Sequence, residues 1–240
     1  MNIRVQSMTS SRPMDSHEYV PPTQVRRLEA TQRRGVRIPP LYVAGDVALL
    51  SRPCVAVVGS RAATPEACEL AWRLAMDLAE SGFAVVSGLA EGIDAAAHRG
   101  AITAPGGRAI GVIGTPLERV YPSQHASLQE AIYRKHLLVS PFAEGTRTTR
   151  GHFPARNRVM ARLAQATVLI EAGERSGTQH QVREAISVAR LVLVHTRLID
   201  TVEWVTELVE RKLVIPWATT AEVLERLIGK EDPVACAGEP

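Results

Sequence analysis

The amino-acid sequence predicts an α/β domain with a doubly wound, mostly parallel sheet and helices on both of its faces. Short, continuously apolar segments alternate with amphipathic helical segments from about residue 40 to residue 200. Strands that are apolar throughout are typical of a parallel sheet covered on both faces. Several of these segments end in Gly, which marks a turn into the following helix.

The chain ahead of this domain is polar. Residues 1–38 carry seven arginines against three acidic residues, and this composition predicts a flexible basic N-terminal arm. We interpret the arm as a solvated tail, with weak contact to nucleic acid as the alternative. The sheet domain is assigned to residues 39–200.

The first strand, turn and helix set the pattern for the domain. The apolar run in "CVAVVGSR" (54–61) is followed by Thr64, a candidate N-cap, and by Pro65 at the first helical position. Residues 201–240 are predicted to form a short C-terminal helical extension. Further strands are predicted at 83–88, 108–114, 137–140, 167–173 and 191–195, and further helices at 92–104, 123–136, 154–165 and 177–189.

Composition and cysteine usage narrow the class of protein. The 240 residues are 45% hydrophobic and 22% charged, with a formal net charge of +3, which is typical of globular proteins. The three cysteines, Cys54, Cys68 and Cys236, form no C-x-x-C pair, so neither a disulfide framework nor a structural zinc site is expected. No apolar run approaches the roughly 18 to 20 residues needed to span a bilayer. We therefore expect a reduced, cytoplasmic protein with no membrane partner.

The familiar nucleotide-binding motifs are missing from the sequence. There is no G-x-G-x-x-G, and the second strand ends in Ser87-Gly88 instead of the acidic residue that binds a ribose, so NAD is not expected. No G-x-x-x-x-G-K-[ST] occurs, which excludes an ATP-hydrolysing P-loop at the level of the motif. The seven histidines show no metal-ligand spacing. We expect no cofactor and no metal.

Ligands of open α/β sheets bind outside the carboxyl ends of the strands, and the predicted loops at that edge are rich in Gly, Ser and Thr. Such loops let backbone amides approach a phosphate closely, and Arg61 follows the first of them. Asp94 is interpreted as a helix N-cap. Glu171 is the best acidic candidate for function, or else a partner that holds Arg156 or Arg158 in place. The loops are "GSRAAT", "SGLAEGID", "GTPLERVYP" and "EAGERSGT".

The segment "GHFPARNRVMARL" (151–163) places positive charge where a helix begins. Arg150, Arg156 and Arg158 oppose the preference of a helix start for acidic residues, and such a conflict suggests that a site determines these residues. Phe153 lies among them. An exposed ring flanked by cations can stack on a base of single-stranded nucleic acid while the arginines hold phosphates. The alternative is a core Phe153 that staples the helix start.

These motifs resemble those of the DNA-processing protein A family, DprA/Smf. "VAVVGSR", "SGLAEGIDAAAHRGA" and "FPARNRVMARLAQATVLIEAGERSG" occur in that family's order and spacing, over about residues 38–195. The resemblance implies a Rossmann-like fold, binding of single-stranded DNA, a homodimer, and loading of a RecA-type recombinase on DNA during DNA processing or natural transformation. It also implies that the protein is not an enzyme.

The resemblance further implies a DNA- and phosphate-binding site. Glycine-rich loops supply part of it, and the "FPARNR" match with the basic residue before it supplies the rest. The candidate residues are Gly59, Ser60, Arg61, Ser87, Gly88, Arg150, Phe153, Arg156, Asn157 and Arg158.

The sequence departs from the family pattern in its C-terminal half. "SGTQHQVREA" and "HTRLIDTVEW" replace the usual continuations, and the dimer and the RecA contact depend on this half. The runner-up function is nucleotide binding or hydrolysis, as in the related lysine decarboxylase-like (LOG) group of Rossmann-like proteins. Gln181 stands where the glutamate of that group is expected, and an amide cannot take up a proton as a carboxylate does. A third possibility is a protein that keeps this fold and binds only other proteins.

Overall fold

The computed structural model describes residues 19–229 of the chain, and all structural statements below concern that range. It contains eleven strands and seven α-helices, with short 3-10 helices at Val47–Ser51, Ser123–His125 and Thr196–Leu198. The strands are β1 Arg26–Leu28, β2 Thr31–Arg33, β3 Val36–Ile38, β4 Leu41–Gly45, β5 Cys54–Val58, β6 Ala84–Ser87, β7 Ala109–Val112, β8 Leu137–Ser140, β9 Ala166–Leu169, β10 Leu191–His195 and β11 Ile215–Trp217. The helices are α1 Pro65–Glu80, α2 Ile93–Thr103, α3 Ala126–Lys135, α4 His152–Leu163, α5 Thr178–Ser187, α6 Glu203–Glu210 and α7 Thr220–Ile228.

Nine of the described strands form one sheet in the order β1-β4-β8-β7-β6-β5-β9-β10-β11. From β8 to β11 in this order, every pair is parallel, whereas β4 pairs antiparallel with both β8 and β1. The chain builds outward from β5 to β8 and then returns to β9 on the other side of β5. The predicted doubly wound, mostly parallel α/β fold is confirmed, and its topological switch point lies between β5 and β9.

The central strands are buried on both faces. Along β5, Val55 and Val57 belong to the hydrophobic cluster beneath α1 and α2, whereas Ala56 and Val58 belong to the cluster beneath α4 and α5. This alternation follows from the two-residue period of a strand. Each fully buried Val contributes about 1.5 to 3 kcal/mol to the free energy of folding relative to an exposed one. The sheet therefore holds the loops at its edge in fixed positions.

Local signals position the first helices as the sequence predicts. Thr64 caps α1, because its Oγ1 accepts a hydrogen bond from the backbone N–H of Ala67 at 3.2 Å, and Pro65 begins the helix. Helix α2 packs very closely on α1: a Cβ added at Gly100 would lie 2.0 Å from the carbonyl oxygen of Trp72. Only Gly fits at that crossing.

The sheet extends beyond both of the predicted boundaries of the domain. Residues 26–38, assigned to a flexible arm, contain β1 and the hairpin of β2 and β3, whose turn residues Arg34 and Gly35 both have positive φ (48° and 76°). That geometry is the favoured two-residue hairpin turn. The guanidinium of Arg33 fixes the hairpin by donating to the carbonyl oxygens of Leu50 and Arg52. Residues 1–18 of the predicted arm lie outside the described range.

The C-terminal extension is part of the same sheet. Helices α6 and α7 occur as predicted, but β11 between them pairs parallel with β10 and places Trp217 in the core, 1% exposed. This strand was not predicted, because "IPW" is only three residues long and contains Pro216, a residue typical of edge strands. Residues 230–240 lie outside the described range.

Candidate functional site

A crevice of about 480 Å³ opens at the switch point, where β5 and β9 end. Its walls are the loops that follow these two strands and the first turns of α2, α4 and α5. The lining residues are Val58, Gly59, Ser60, Arg61, Ala62, Ala90, Asp94, Phe153, Pro154, Arg156, Asn157, Met160, Gly173, Arg175, Ser176, Gly177, Thr178, His180 and Gln181.

The loop after β5 is held tightly on two sides. A Cβ at Gly59 would lie 2.5 Å from Cγ1 of Ile93 and 2.8 Å from the carbonyl oxygen of Glu171. The N–H of Ser60 donates to that same carbonyl at 2.7 Å. On the other side, a Cβ at Gly92, whose φ is +69°, would lie 2.3 Å from the carbonyl oxygen of Ser60. The backbone at Gly59 and Ser60 is therefore fixed, and larger residues at Gly59 or Gly92 would displace it.

The loop after β9 connects the crevice to two helix starts. The carboxylate of Glu171 accepts hydrogen bonds from the hydroxyl (2.8 Å) and the backbone N–H (3.2 Å) of Thr64. It therefore anchors the start of α1 and holds neither Arg156 nor Arg158, the role that the sequence analysis considered. Thr178, at the start of α5, donates its hydroxyl to the carbonyl of Gly59 at 3.1 Å. The first turn of α5 thus faces the crevice with the positive end of the helix dipole, which favours an anion. Its N–H groups at Thr178, Gln179 and His180 already donate to Ser176 and Gly177.

Arg156 is the buried arginine of the crevice. It is only 4% exposed, donates from Nη1 to the carbonyl of Val112 at 3.1 Å, and lies 3.7 Å from Oδ2 of Asp94. Burial lowers the pKa of the Arg156 guanidinium and raises the pKa of the Asp94 carboxyl, and the ion pair opposes both shifts. Gly88 makes room for the guanidinium, since a Cβ there would lie 1.3 Å from Nη1.

Two sequence-based assignments are therefore corrected. Asp94 does not cap α2: Gly92 occupies the N-cap position and Asp94 lies in the first turn, 7% exposed. Ser87, predicted to contact a phosphate, is fully buried and donates its hydroxyl to the carbonyl of Val57 at 2.7 Å. Its side chain points from β6 toward β5 and not toward the crevice.

Arg61 and Phe153 meet, although 92 residues separate them in the sequence. The guanidinium carbon of Arg61 lies 5.6 Å from the centre of the Phe153 ring, within range of a cation–π interaction. The ring is half-buried and also contacts Tyr121, with the ring centres 5.3 Å apart, and a Cβ at Gly114 would lie 2.9 Å from it. Phe153 therefore packs at the helix start, which was the alternative prediction, and its ring also contacts a cation. The predicted exposed ring is not seen, because Phe153 is half-buried.

The remaining predicted residues divide into two groups. Asn157 lines the crevice and donates to the carbonyl of Gly177 at 3.4 Å. Arg150 and Arg158 are exposed and do not belong to the crevice wall.

Three further residues lie at the site: Arg175 and Tyr121, which sequence reasoning missed, and Gln181, which it named only for the runner-up function. Arg175 and Gln181 line the crevice; Gln181 is 1% exposed, and neither polar atom of its amide has a hydrogen-bond partner among the described residues. Tyr121 lies at the rim and is 53% exposed. The signals were present in "GERSGTQHQ" and in the "YP" pair, but only the fold brings them to this edge.

The charge of the crevice is positive. Arg61, Arg156 and Arg175 line it, and Asp94 is the one carboxylate among the lining residues of the described range. In the same range, no group of three or more His, Cys, Asp or Glu side chains is arranged to hold a metal ion, and none of the helices is long and apolar enough to cross a membrane.

The fold and the site define a Rossmann-like protein with an anion-binding crevice at the switch point of its sheet. The chain belongs to the family described as DNA recombination-mediator protein A, whose model matches residues 22–222. It is 42% identical over 138 residues to the DNA processing protein DprA of Streptococcus pneumoniae, covering 58% of this chain and 48% of that protein. It is 34% identical over 181 residues to the protein Smf of Escherichia coli, covering 75% and 46%. The chain thus spans about half the length of these relatives.

Solved structures agree with this assignment. A DNA processing protein A of Helicobacter pylori, whose structure describes a single-stranded DNA binding mode, superposes with a TM-score of 0.77 at 25% identity over 90% of this chain and 99% of that one. DprA of S. pneumoniae superposes with a TM-score of 0.70 at 34% identity over 78% and 65%. The molybdenum cofactor binding protein of Rippkaea orientalis, at 18% identity and a TM-score of 0.55, over 74% of this chain and 96% of that one, shares the fold alone.

Proposed function

We propose that this chain binds single-stranded DNA in the switch-point crevice, as a member of the DprA/Smf family that assists DNA processing. The observation that carries the proposal is the pairing of Arg61 with the Phe153 ring beside the first turn of α5. A cation for the phosphates and an aromatic surface for the bases are the groups that a DNA strand needs from a protein that does not read its sequence. The positive end of the α5 dipole adds to the attraction of a phosphate.

The geometry assigns different physical roles to the site residues. The guanidinium carbon of Arg61 lies over the Phe153 ring, 5.6 Å from its centre. The ring therefore helps to hold the guanidinium at the crevice, where its N–H donors can bind a phosphate. The positive end of the α5 dipole adds to the attraction of the same anion. The exposed ring of Tyr121 is the surface on which a base stacks, because Phe153 is already covered by its neighbours.

The DNA-binding role needs no catalysis. Asp94 is paired with Arg156, and Gln181 offers an amide where nucleotide hydrolysis would use a carboxylate. The proposed protein is therefore a binding protein and not an enzyme. It acts as a homodimer in the cytoplasm and delivers DNA to a RecA-type recombinase, a role supported by its family.

Salt-dependent binding to short oligonucleotides tests the DNA-binding proposal. Affinity should fall linearly on a plot of log affinity against log salt, and an affinity that does not respond to salt would contradict it. Capture of RecA by the protein, with and without single-stranded DNA, tests the recombinase role, and sedimentation tests the dimer.

Nucleotide binding of the LOG type is the second candidate. It is favoured by the buried amide of Gln181, which borders the crevice without a hydrogen-bond partner among the described residues. Incubation with nucleoside monophosphates discriminates the two functions. Release of free base that is lost in Asp94→Asn and Gln181→Ala variants would replace the binding proposal by an enzymatic one.

A further inference from the structure

A second, smaller cavity lies at the same edge of the sheet as the crevice. It has a volume of about 190 Å³ and is enclosed by the start of α1, the loop after β9, and the end of β10 with the turn that follows it. That last segment belongs to "HTRLIDTVEW", which departs from the family pattern. Among residues 19–229, none lines both cavities. The second cavity is therefore a separate candidate site.

One part of the second cavity is apolar. Leu70 of α1, Ile170 after β9 and Leu198 after β10 line it, and the last two are only 3% and 4% exposed. An aliphatic group of a ligand would leave water on entering this part. Because pockets for drug-sized molecules measure roughly 300 to 1,000 Å³, a cavity of 190 Å³ suits a smaller molecule.

The polar part of the second cavity carries one charge of each sign. Glu171 and Arg197 both line it, but in the described structure they form no ion pair with each other. The Glu171 carboxylate accepts hydrogen bonds from neutral groups of Thr64, so it keeps its charge. The side chain of Arg197 is exposed and has no hydrogen-bond partner among the described residues. A ligand with one positive and one negative group would be attracted by both side chains.

Two neutral side chains add a donor and an acceptor to these charges. Nδ1 of His195 accepts a hydrogen bond from the backbone N–H of Arg197 at 3.2 Å, which leaves the proton of the neutral ring on Nε2. Burial and the nearby Arg197 charge lower the pKa of His195, so the ring is neutral at pH 7. Thr201 donates its hydroxyl hydrogen to the carbonyl of Arg197 at 2.7 Å, and its oxygen remains an acceptor.

We propose that the second cavity binds a free α-amino acid with an aliphatic side chain. Arg197 and the Nε2–H of His195 bind its carboxylate, which only accepts hydrogen bonds. Glu171 and the Thr201 hydroxyl oxygen bind its ammonium, which only donates. The aliphatic side chain packs against the apolar part of the wall.

Simpler ligands fit the second cavity less well. An anion without a positive group would be repelled by Glu171, and a cation without a negative group would be repelled by Arg197. A metal ion is not favoured either, since the described residues contain no group of three or more His, Cys, Asp or Glu side chains arranged to hold one. The inference is independent of the DNA-binding proposal, because the two cavities have different walls.

Isothermal titration calorimetry of the full chain with L-leucine tests the inference. We expect one molecule to bind with a Kd of about 1 mM or below. Three analogues each lack one group: isocaproate lacks the ammonium, isopentylamine lacks the carboxylate, and glycine lacks the side chain. Loss of a charge-assisted hydrogen bond should weaken binding by about 10-fold or more for isocaproate and for isopentylamine. Glycine should also bind more weakly than L-leucine, because it covers no apolar wall.

The variants Arg197→Gln and Arg211→Gln locate the ligand. Both replace an exposed arginine, but Arg211 lies beyond α6, where it pairs with Glu207 at 3.1 Å, and serves as the matched control. Arg197→Gln should bind L-leucine about 10-fold or more weakly than wild type, whereas Arg211→Gln should bind it normally. The thermal melts of both variants should match that of wild type. Arg61→Gln, which alters the crevice, should also bind L-leucine normally.

Several results would overturn the inference. Absence of binding at about 10 mM L-leucine, ten times the expected Kd, would show that the cavity takes no such ligand. Isocaproate that binds as tightly as L-leucine would show that Glu171 makes no contact with an ammonium group. Equal binding by Arg197→Gln and Arg211→Gln, or loss of binding in Arg61→Gln, would place the amino acid outside the second cavity.

Discussion

Replacing Arg61 by Gln should remove one phosphate contact while leaving the fold intact. The Arg61 side chain is exposed, and its described side-chain contact is with the Phe153 ring at 5.6 Å, an interaction worth roughly 0.5 to 1 kcal/mol at an exposed site. The free energy of unfolding should therefore fall by no more than about 1 kcal/mol. Binding of a short oligonucleotide should change far more visibly.

The magnitude follows from counterion release. One lost phosphate contact reduces the slope of log affinity against log salt by about 0.7 for a single strand. Between 50 and 200 mM salt, a fourfold change, the variant should therefore lose about 2.6-fold less affinity than wild type. Fluorescence anisotropy over that range measures both slopes. Arg73→Gln is the control for net charge, because Arg73 is an exposed arginine of α1 that pairs with Glu69 at 2.6 Å. A variant that melts like wild type and keeps the full slope would refute the assignment of Arg61 to a phosphate.

Three further changes test the neighbouring residues. Tyr121→Ala should weaken binding by about 1 to 3 kcal/mol through lost stacking without altering the salt slope, and Tyr121→Phe should bind normally; equal loss in both variants would point to the hydroxyl instead. Gly88→Ala should lower the free energy of unfolding by about 1 to 3 kcal/mol in urea melts, because its methyl group meets the Arg156 guanidinium; a neutral result would show that Arg156 moves freely. His98 is fully buried and burial lowers its pKa to about 3, so its contribution to stability is complete above pH ~6.5 and is lost as the pH falls toward 3. Between pH 6.5 and pH 5 this loss is about 2 kcal/mol, and His98→Leu, compared by urea melts at both pH values, should lack it.

The centre of the fold could be predicted because its strands carry their own signal. Runs such as "CVAVV" are apolar throughout, and Thr64 with Pro65 marks a helix start regardless of what surrounds it. The edges could not be predicted in the same way. Strands β1 and β11 are three residues long, and they exist because β4 and β10 offer unpaired backbone groups to them. Such pairing is a property of the assembled sheet and leaves little pattern in the sequence.

The site likewise combines features that the sequence predicts with features that it does not. Features that the backbone determines, such as the turn at Gly59, could be predicted from the sequence, because a glycine directly after a buried strand usually marks a tight turn. The direction in which a side chain points could not be predicted. Ser87 ends a predicted strand and Arg156 lies in a predicted helix, but one side chain turns toward Val57 and the other toward Asp94 and Val112. Those partners come from other strands and helices, so the burial of both side chains depends on tertiary packing.

The buried position of Arg156 decides how many cations the crevice presents to DNA. Arg156 is charged but faces Asp94 at 3.7 Å and is 4% exposed, whereas Arg61 and Arg175 are exposed at the wall. If only the two exposed arginines hold phosphates, the salt slope for a short oligonucleotide should be about −1.4, at 0.7 per phosphate. If Arg156 also contacts a phosphate, the slope should be about −2.1. We expect the smaller value, because pulling Arg156 toward DNA would leave the Asp94 carboxylate buried without its partner, a cost of roughly 3 to 5 kcal/mol. A measured slope near −2.1 that falls to about −1.4 in Arg156→Gln would show that DNA binding breaks this ion pair.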